Sequence, residues 1–220
     1  MKKFGSLLLI LLLVLALTAC DSIPKDSGDS SGDSSGSSSD SGGSSGGSSG
    51  GSSSGDSDVY AEDGFGEGRI GSVMHSYFFD FIVNSAYTTT DYNGYTATQV
   101  DSETQEPYQL LVVNLTIKNT YSQSVTMWDS DFQAQWSTSQ DTGLYSWPIT
   151  DDGNVPTVSD DQLPAEYDLA VGEERTGEIV FEVPSNEKDF SLSYLEIFND
   201  GTEEGEEGDI YAVFFTATAQ

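Results

Sequence analysis

Apolar and polar side chains alternate with a period of two through the C-terminal part of the chain. Tyr77, Phe79, Phe81 and Val83 alternate with Phe78, Asp80, Ile82 and Asn84. Leu111, Val113, Leu115 and Ile117 alternate with Val112, Asn114, Thr116 and Lys118. The spacing recurs in Phe132, Ala134 and Trp136, in Gly177, Ile179, Phe181 and Val183, in Phe190, Leu192 and Tyr194, and from Ile210 to Thr218. Successive strand residues point to opposite faces, so each run predicts a strand with one face toward a core. β-Branched and aromatic residues dominate the runs, as a pleated, half-buried surface favours. Turn-forming clusters separate them: Asn93-Gly94, Asp151 to Asn154, Val171-Gly172, Val183 to Asn186 and Asn199 to Gly201. No long helical stripe interrupts the series. The expected fold is all-β, an antiparallel Ig-like β-sandwich of about seven to nine strands. The Cys–Trp–Cys pin of antibody domains is missing, so the likeness is one of architecture, and strand order is not readable.

The N-terminal segments break this pattern. Lys2 and Lys3 precede an apolar run of eleven residues, Leu7 to Leu17. A membrane-spanning helix needs about 20 apolar residues and a signal-peptide core about 7 to 15, so residues 1–19 read as a removable signal peptide. Leu17-Thr18-Ala19-Cys20 follows and resembles the bacterial lipobox. That resemblance implies a diacylglyceryl group on the Cys20 thiol and Cys20 as the mature N-terminus. Two acyl chains anchor stably where one binds only marginally. From Ser27 to Ser57 the chain contains only Ser, Gly and Asp. Such a segment has nothing to bury against the entropy of ordering, so residues 20–58 are expected to form a disordered linker. A coil of its length spans about 31–37 Å on average and about 130 Å when stretched. Residues 59–220 are then one domain, held near the outer face of the cell membrane by lipid.

Charge narrows the choice of partners. The 220 residues hold 37 acidic and 7 basic side chains, a formal charge of −30. Residues 59–220 carry 30 acids against Arg69, Lys118, Arg175 and Lys188, a net −26. With no basic stripe to neutralise phosphates, nucleic acid is excluded as a partner. Anionic lipids and acidic polymers should repel the domain, and cationic partners are favoured. One cysteine permits no internal disulfide and no cysteine-based zinc site. One histidine leaves few ways to build a catalytic triad.

Some runs are similar to those of a known family. Tyr108 to Asn119 resembles a hallmark strand that ends in a V-x-N type turn, and Asp131-Phe132 falls at the matching D-F position. Leu169 to Pro184 resembles the family's L-x-x-G … G-x-x-x-F-x-V-P segment. The family is a set of Ig-like domains of unknown function in bacterial surface lipoproteins. It is related in fold to a secreted immunogenic antigen, and some members carry a telomeric-repeat-binding-factor-like label. The resemblance covers roughly residues 70–218. It implies fold and surface location and brings no catalytic residues.

Candidate chemistry is sparse. Gly66, Gly68 and Gly71 spell G-x-G-x-x-G. A dinucleotide site needs a strand before that motif and a helix after it, whereas here the linker precedes and an aromatic strand follows. Ser185 and Lys188 match S-x-x-K without its partner motifs, and a turn between strands accounts for them. His75 has no nucleophile motif to pair with. Lys118, a conceivable crosslinking lysine, falls on the face opposite Leu115 and Ile117. Asp200, Glu203, Glu204, Glu206, Glu207 and Asp209 crowd one glycine-rich loop. Ca²⁺ takes 6–8 oxygen ligands, so this loop is the candidate metal site, although it lacks the EF-hand spacing and also suits a solvated hairpin. Trp128, Trp136, Trp147, Tyr121 and Tyr145 could form an aromatic platform for sugars, with Trp136 expected in the core. The leading expectation is a lipid-anchored, extracytoplasmic, non-catalytic interaction module for a protein or glycan at the cell surface. The alternative is a Ca²⁺-dependent or glycan-binding domain using the acidic loop or the aromatic platform.

Overall fold

The computed structural model describes residues 57–101, 105–136, 144–151, 153, 155–198 and 205–220. The signal peptide, Cys20, the linker up to Asp56, and Asp200, Glu203 and Glu204 lie outside the described residues. Among the described residues the strands are β1 (Asp58–Val59), β2 (Phe65–Arg69), β3 (Val73–His75), β4 (Phe79–Thr89), β5 (Gln109–Asn119), β6 (Val125–Trp128), β7 (Phe132–Trp136), β8 (Tyr145–Ser146), β9 (Glu166–Leu169), β10 (Glu174–Val183), β11 (Asp189–Phe198), β12 (Glu206–Thr216) and β13 (Thr218–Ala219). Asp129–Asp131 form a single 3₁₀ turn. No described helix is long and apolar enough to cross a membrane.

Two sheets face each other. The first runs β1-β3-β4-β5-β10, with β13 beside β4, and the second runs β2-β12-β11-β7-β8. β6 and β9 form a separate antiparallel ladder. The long ladders β4–β5, β5–β10, β11–β12 and β7–β11 are antiparallel, as the alternation predicts. Three short edge pairings are parallel: β1 with β3, β2 with β12, and β13 with β4. None of these three is joined by a tight hairpin, so no turn imposes the antiparallel direction. Between β1 and β2 the chain passes from one sheet to the other at Asp63-Gly64, both at positive φ (53° and 86°).

The inner faces meet in one core. Phe79, Phe81, Leu115, Ile117, Phe132 and Leu192 are at most 2% exposed. Phe81 meets Phe132 edge-to-face at 5.4 Å between ring centroids. In β4 the register shifts between Val83 and Ser85. This bulge at Asn84 resets the parity, so that Ala86 and Thr88 continue the inner face.

The outer face of the first sheet differs from expectation. The alternation predicts a half-solvated face, yet Leu110, Val112 and Val180 are fully buried there. With Tyr92 and Ile149 they form a second, smaller apolar cluster. The Tyr92 hydroxyl donates to Glu178 at 2.6 Å and the Tyr95 hydroxyl to Glu182 at 2.7 Å, which pins the covering segment across the sheet. The run Leu110 to Val113 is thus buried on both faces, and an unbroken apolar run is its signature. The outer edge of β10 is also covered: Ile149 N–H donates to Val180 O and Leu163 N–H to Glu178 O, each at 2.9 Å. A covered edge offers no template to another chain.

The G-x-G-x-x-G glycines have packing roles. A Cβ on Gly66 would lie 2.7 Å from the Tyr211 ring, and one on Gly68 would lie 2.5 Å from Met74 Sδ. Gly71 holds φ at +86° in the β2–β3 turn. The described residues begin at Ser57, and strand β1 stands before the motif. β3 follows it, not a helix.

Candidate functional site

After β8 the chain crosses from the second sheet to the first, where Pro148 bridges to Phe181. Tyr145 and Trp147 stand two residues apart on this extended stretch and therefore share a side. Their rings meet edge-to-face, 5.9 Å between centroids at 76°. Opposite them, Glu182 of β10 anchors the segment from Tyr95 to Gln99. Its Oε1 accepts from the Tyr95 hydroxyl at 2.7 Å and from the Thr98 N–H and hydroxyl at 3.0 Å each. Its Oε2 accepts from Gln99 N–H at 2.8 Å. Gln99 O in turn accepts from Tyr108 N–H at 3.0 Å. Burial first, and then the Asp101 charge, raise the Tyr108 phenol above its ordinary pKa, so it is neutral at physiological pH.

Between these elements lies a cleft of about 580 Å³. Its lining includes Tyr95, Tyr108, Trp136, Tyr145, Trp147 and Glu182, with Thr98, Gln99, Ser146 and Asp151 among the polar groups. Among the described residues no histidine, cysteine, lysine or arginine lines it. Its chemistry is that of a binding site: aromatic surface for contact, hydroxyl and amide groups for orientation, and a buried carboxylate behind them.

The structure brings together three of the five aromatic residues singled out in the sequence: Trp136, Tyr145 and Trp147. Trp136 is both core and lining, at 9% exposure. Tyr121 goes elsewhere and packs with Tyr77 and Phe78, both of which also meet Phe198. Trp128 stands 45% exposed beside the Asp129–Asp131 turn. Sequence reasoning missed Tyr95, Tyr108 and Glu182, because nothing local marks residues that distant segments bring to one cleft.

The other candidates are dispersed. His75 Nδ1 lies 2.9 Å from Asp80 Oδ1 and Nε2 lies 3.0 Å from Asp58 Oδ1. Tyr60 stacks on its ring at 4.4 Å. Both ring nitrogens are engaged by carboxylates, leaving neither to serve a nucleophile. Lys118 and Lys188 are both exposed, and Ser185 sits in the turn between β10 and β11. Glu206 and Glu207 are exposed at the start of β12, and Asp209 N–H donates to Glu196 at 3.2 Å. Among the described residues no three His, Cys, Asp or Glu side chains come together to hold a metal ion.

Two aspartates have altered acidity. Burial pushes Asp129 and Asp131 up to about 6 each. For Asp129, hydrogen bonds from the Thr150 hydroxyl and from Ser130 N–H work against burial, and the Asp151 charge adds to it. Asp131 accepts from Trp128 N–H at 2.8 Å, which lowers its pKa, and feels the Asp129 charge, which raises it.

The family model described as "Domain of unknown function (DUF4352)" matches residues 69–204. No curated protein matches the sequence. Among solved structures the chain is similar to the lipoprotein candidate ycdA of Bacillus subtilis subsp. subtilis str. 168, at 14% identity and a TM-score of 0.45. That match covers 66% of this chain and 38% of ycdA, so the chain spans well under half of that protein. The yjhA protein of Bacillus subtilis is similar at 16% identity and a TM-score of 0.44, over 66% of this chain and 99% of the other. The secreted protein MPT63 of Mycobacterium tuberculosis is similar at 16% identity and a TM-score of 0.40, over 68% and 95%.

Proposed function

We propose, from the premise that the chain belongs to the DUF4352 family of domains of unknown function, that it is a lipid-anchored, extracytoplasmic binding module without catalytic activity. The anchor is supported by the sequence: an eleven-residue apolar run behind two lysines and ending near Leu-Thr-Ala-Cys20, with residues 1–19 removed and 20–58 serving as linker. The binding role is carried by one observation, the aromatic cleft between β8, the Tyr95–Gln99 segment and β10. The absence of basic residues from its described lining opposes anionic ligands.

Two experiments test this reading. Expressed in a bacterial host, the full chain should partition into the detergent phase and incorporate labelled fatty acid, and Cys20→Ala should do neither. Wild-type chain in the aqueous phase overturns the anchor. For the cleft, tryptophan fluorescence is followed against saccharides, amino acids and organic cations. A saturable change that Trp147→Ala abolishes supports the binding role, and no response to any compound overturns it.

A further inference from the structure

We propose that the cleft takes a small quaternary ammonium ion, an inference that rests on reading the cleft as the recognition site. The starting point is Glu182. The residue is 4% exposed, its four hydrogen-bond donors are all uncharged, and among the described residues no basic side chain lines the cleft. A buried carboxylate held only by neutral donors projects its negative potential into the space beside it. A cation in the cleft supplies the counter-charge that the protein itself does not.

The aromatic lining fits the same ligand. Tyr95, Tyr108, Trp136, Tyr145 and Trp147 border the space. Aromatic faces attract cations, and the attraction grows when water is excluded. The hydrogen-bond count then separates kinds of ammonium. A carboxylate offers about four acceptor positions, and Glu182 already accepts four bonds, three at Oε1 and one at Oε2. A primary ammonium would bring three N–H donors with no acceptor left on Glu182. A quaternary ammonium has no N–H to satisfy and keeps its charge at every pH. Anionic ligands are opposed by Glu182, by Asp151 in the lining, and by the domain's net −26.

The test is a tryptophan-fluorescence titration of the full chain in detergent. Choline chloride is compared with its uncharged carbon isostere, 3,3-dimethylbutan-1-ol, and with sodium chloride at equal ionic strength. The expected result is a saturable change with choline, binding about tenfold or more weaker with the isostere, and no saturation with sodium chloride. Trp147→Ala and Tyr145→Ala should each weaken choline severalfold, while Tyr145→Phe, which keeps the ring, should not. Glu182→Gln should also weaken it. Because Glu182 holds the Tyr95–Gln99 segment, that variant is checked by circular dichroism, and the aromatic variants decide the matter if it does not fold. Equal binding of choline and isostere, or choline binding untouched by both alanine variants, overturns the inference. A response to uncharged saccharides with none to choline overturns the ammonium class and leaves the binding reading standing. A cleft that answers to no probe overturns both.

Discussion

His75 is the only histidine in the chain, and it clasps the first described strand, β1, to the rest of the sheet. Asp58 belongs to β1 and Asp80 to β4, so the ring ties the edge strand across β3. Burial lowers the imidazole pKa, but the hydrogen bonds to Asp58 and Asp80 and the charges of the same two carboxylates outweigh it, and the net shift is upward. Only the protonated ring donates from both nitrogens; the neutral ring turns a lone pair toward one carboxylate. A raised folded-state pKa means that this stabilisation is fully present below the ordinary value of 6.5 and is lost as pH rises through the folded value. Asp58→Asn and Asp80→Asn should each lower the His75 pKa in an NMR titration, and His75→Asn should flatten the stability profile above the ordinary value of 6.5. An unshifted wild-type value would defeat the clasp. Asp129 and Asp131 act in the same direction at lower pH. Raised from 3.8 to about 6, they favour folding fully below about 4, and that contribution disappears as pH rises through about 6. Asp131→Asn should therefore reduce the gain in melting temperature between pH 7 and pH 4.5, as thermal unfolding at the two values would show.

At the scale of the element, β2 shows how a motif can be spelled by packing. Gly66 and Gly68 face inward on an edge strand whose neighbours, Tyr211 and Met74, fill the place a side chain would take. Gly66→Ala should cost about 1–3 kcal/mol through overpacking, seen as a melting temperature lower by about 2–12 °C. An unchanged midpoint would mean that the ring moves aside freely. The bulge in β11 is a second such device. Glu196, 3% exposed, sits at the register shift between Leu195 and Ile197, and its carboxylate accepts from Tyr77 N–H at 2.6 Å and Asp209 N–H at 3.2 Å. Removing it in Glu196→Ala leaves two amides without their partner and should destabilise by about 1–3 kcal/mol or more, measurable by denaturant unfolding. Neither device is visible in the alternation. Period two marks β4, β5, β7, β10, β11 and β12 because each must turn one face to the shared core, and Gly172, at φ +74°, is where the sequence sets a turn. The second apolar cluster was half legible, since Leu110 to Val113 is apolar at every position; which segment covers it depends on Tyr92 and Tyr95 reaching Glu178 and Glu182 across more than eighty residues of sequence. The cleft was legible only through Trp136, Tyr145 and Trp147, which are neighbours in sequence, while Glu182 carries no local mark.

For the whole molecule the governing quantity is charge. The domain's −26 is offset within the described structure by few contacts: Arg69 pairs with Glu67 at 2.8 Å and Arg175 with Glu173 at 2.9 Å, both at the surface and each worth little. Such a surface repels itself, and the repulsion is screened within about 8–10 Å at physiological salt. Stability should therefore rise with salt, and divalent ions should act more strongly than monovalent ones. Whether any of that effect is a bound ion can be separated from screening. A site held at 100-fold saturation adds about 2.7 kcal/mol, or about 5–11 °C for a domain of this size, and it would prefer Ca²⁺ over Mg²⁺ because the two ions demand different ligand distances and numbers. Diffuse screening has no such preference, since it depends on valence alone. Among the described residues no metal-ligating cluster forms, and Glu206 and Glu207 are exposed. Thermal unfolding of the full chain in Ca²⁺, Mg²⁺ and EDTA at matched ionic strength should accordingly show equal, small shifts for both cations. A Ca²⁺-specific rise of the larger size would instead mean that the carboxylates between Asp200 and Asp209 converge on the ion. Glu206→Gln with Glu207→Gln should then remove the rise and leave the general salt response intact.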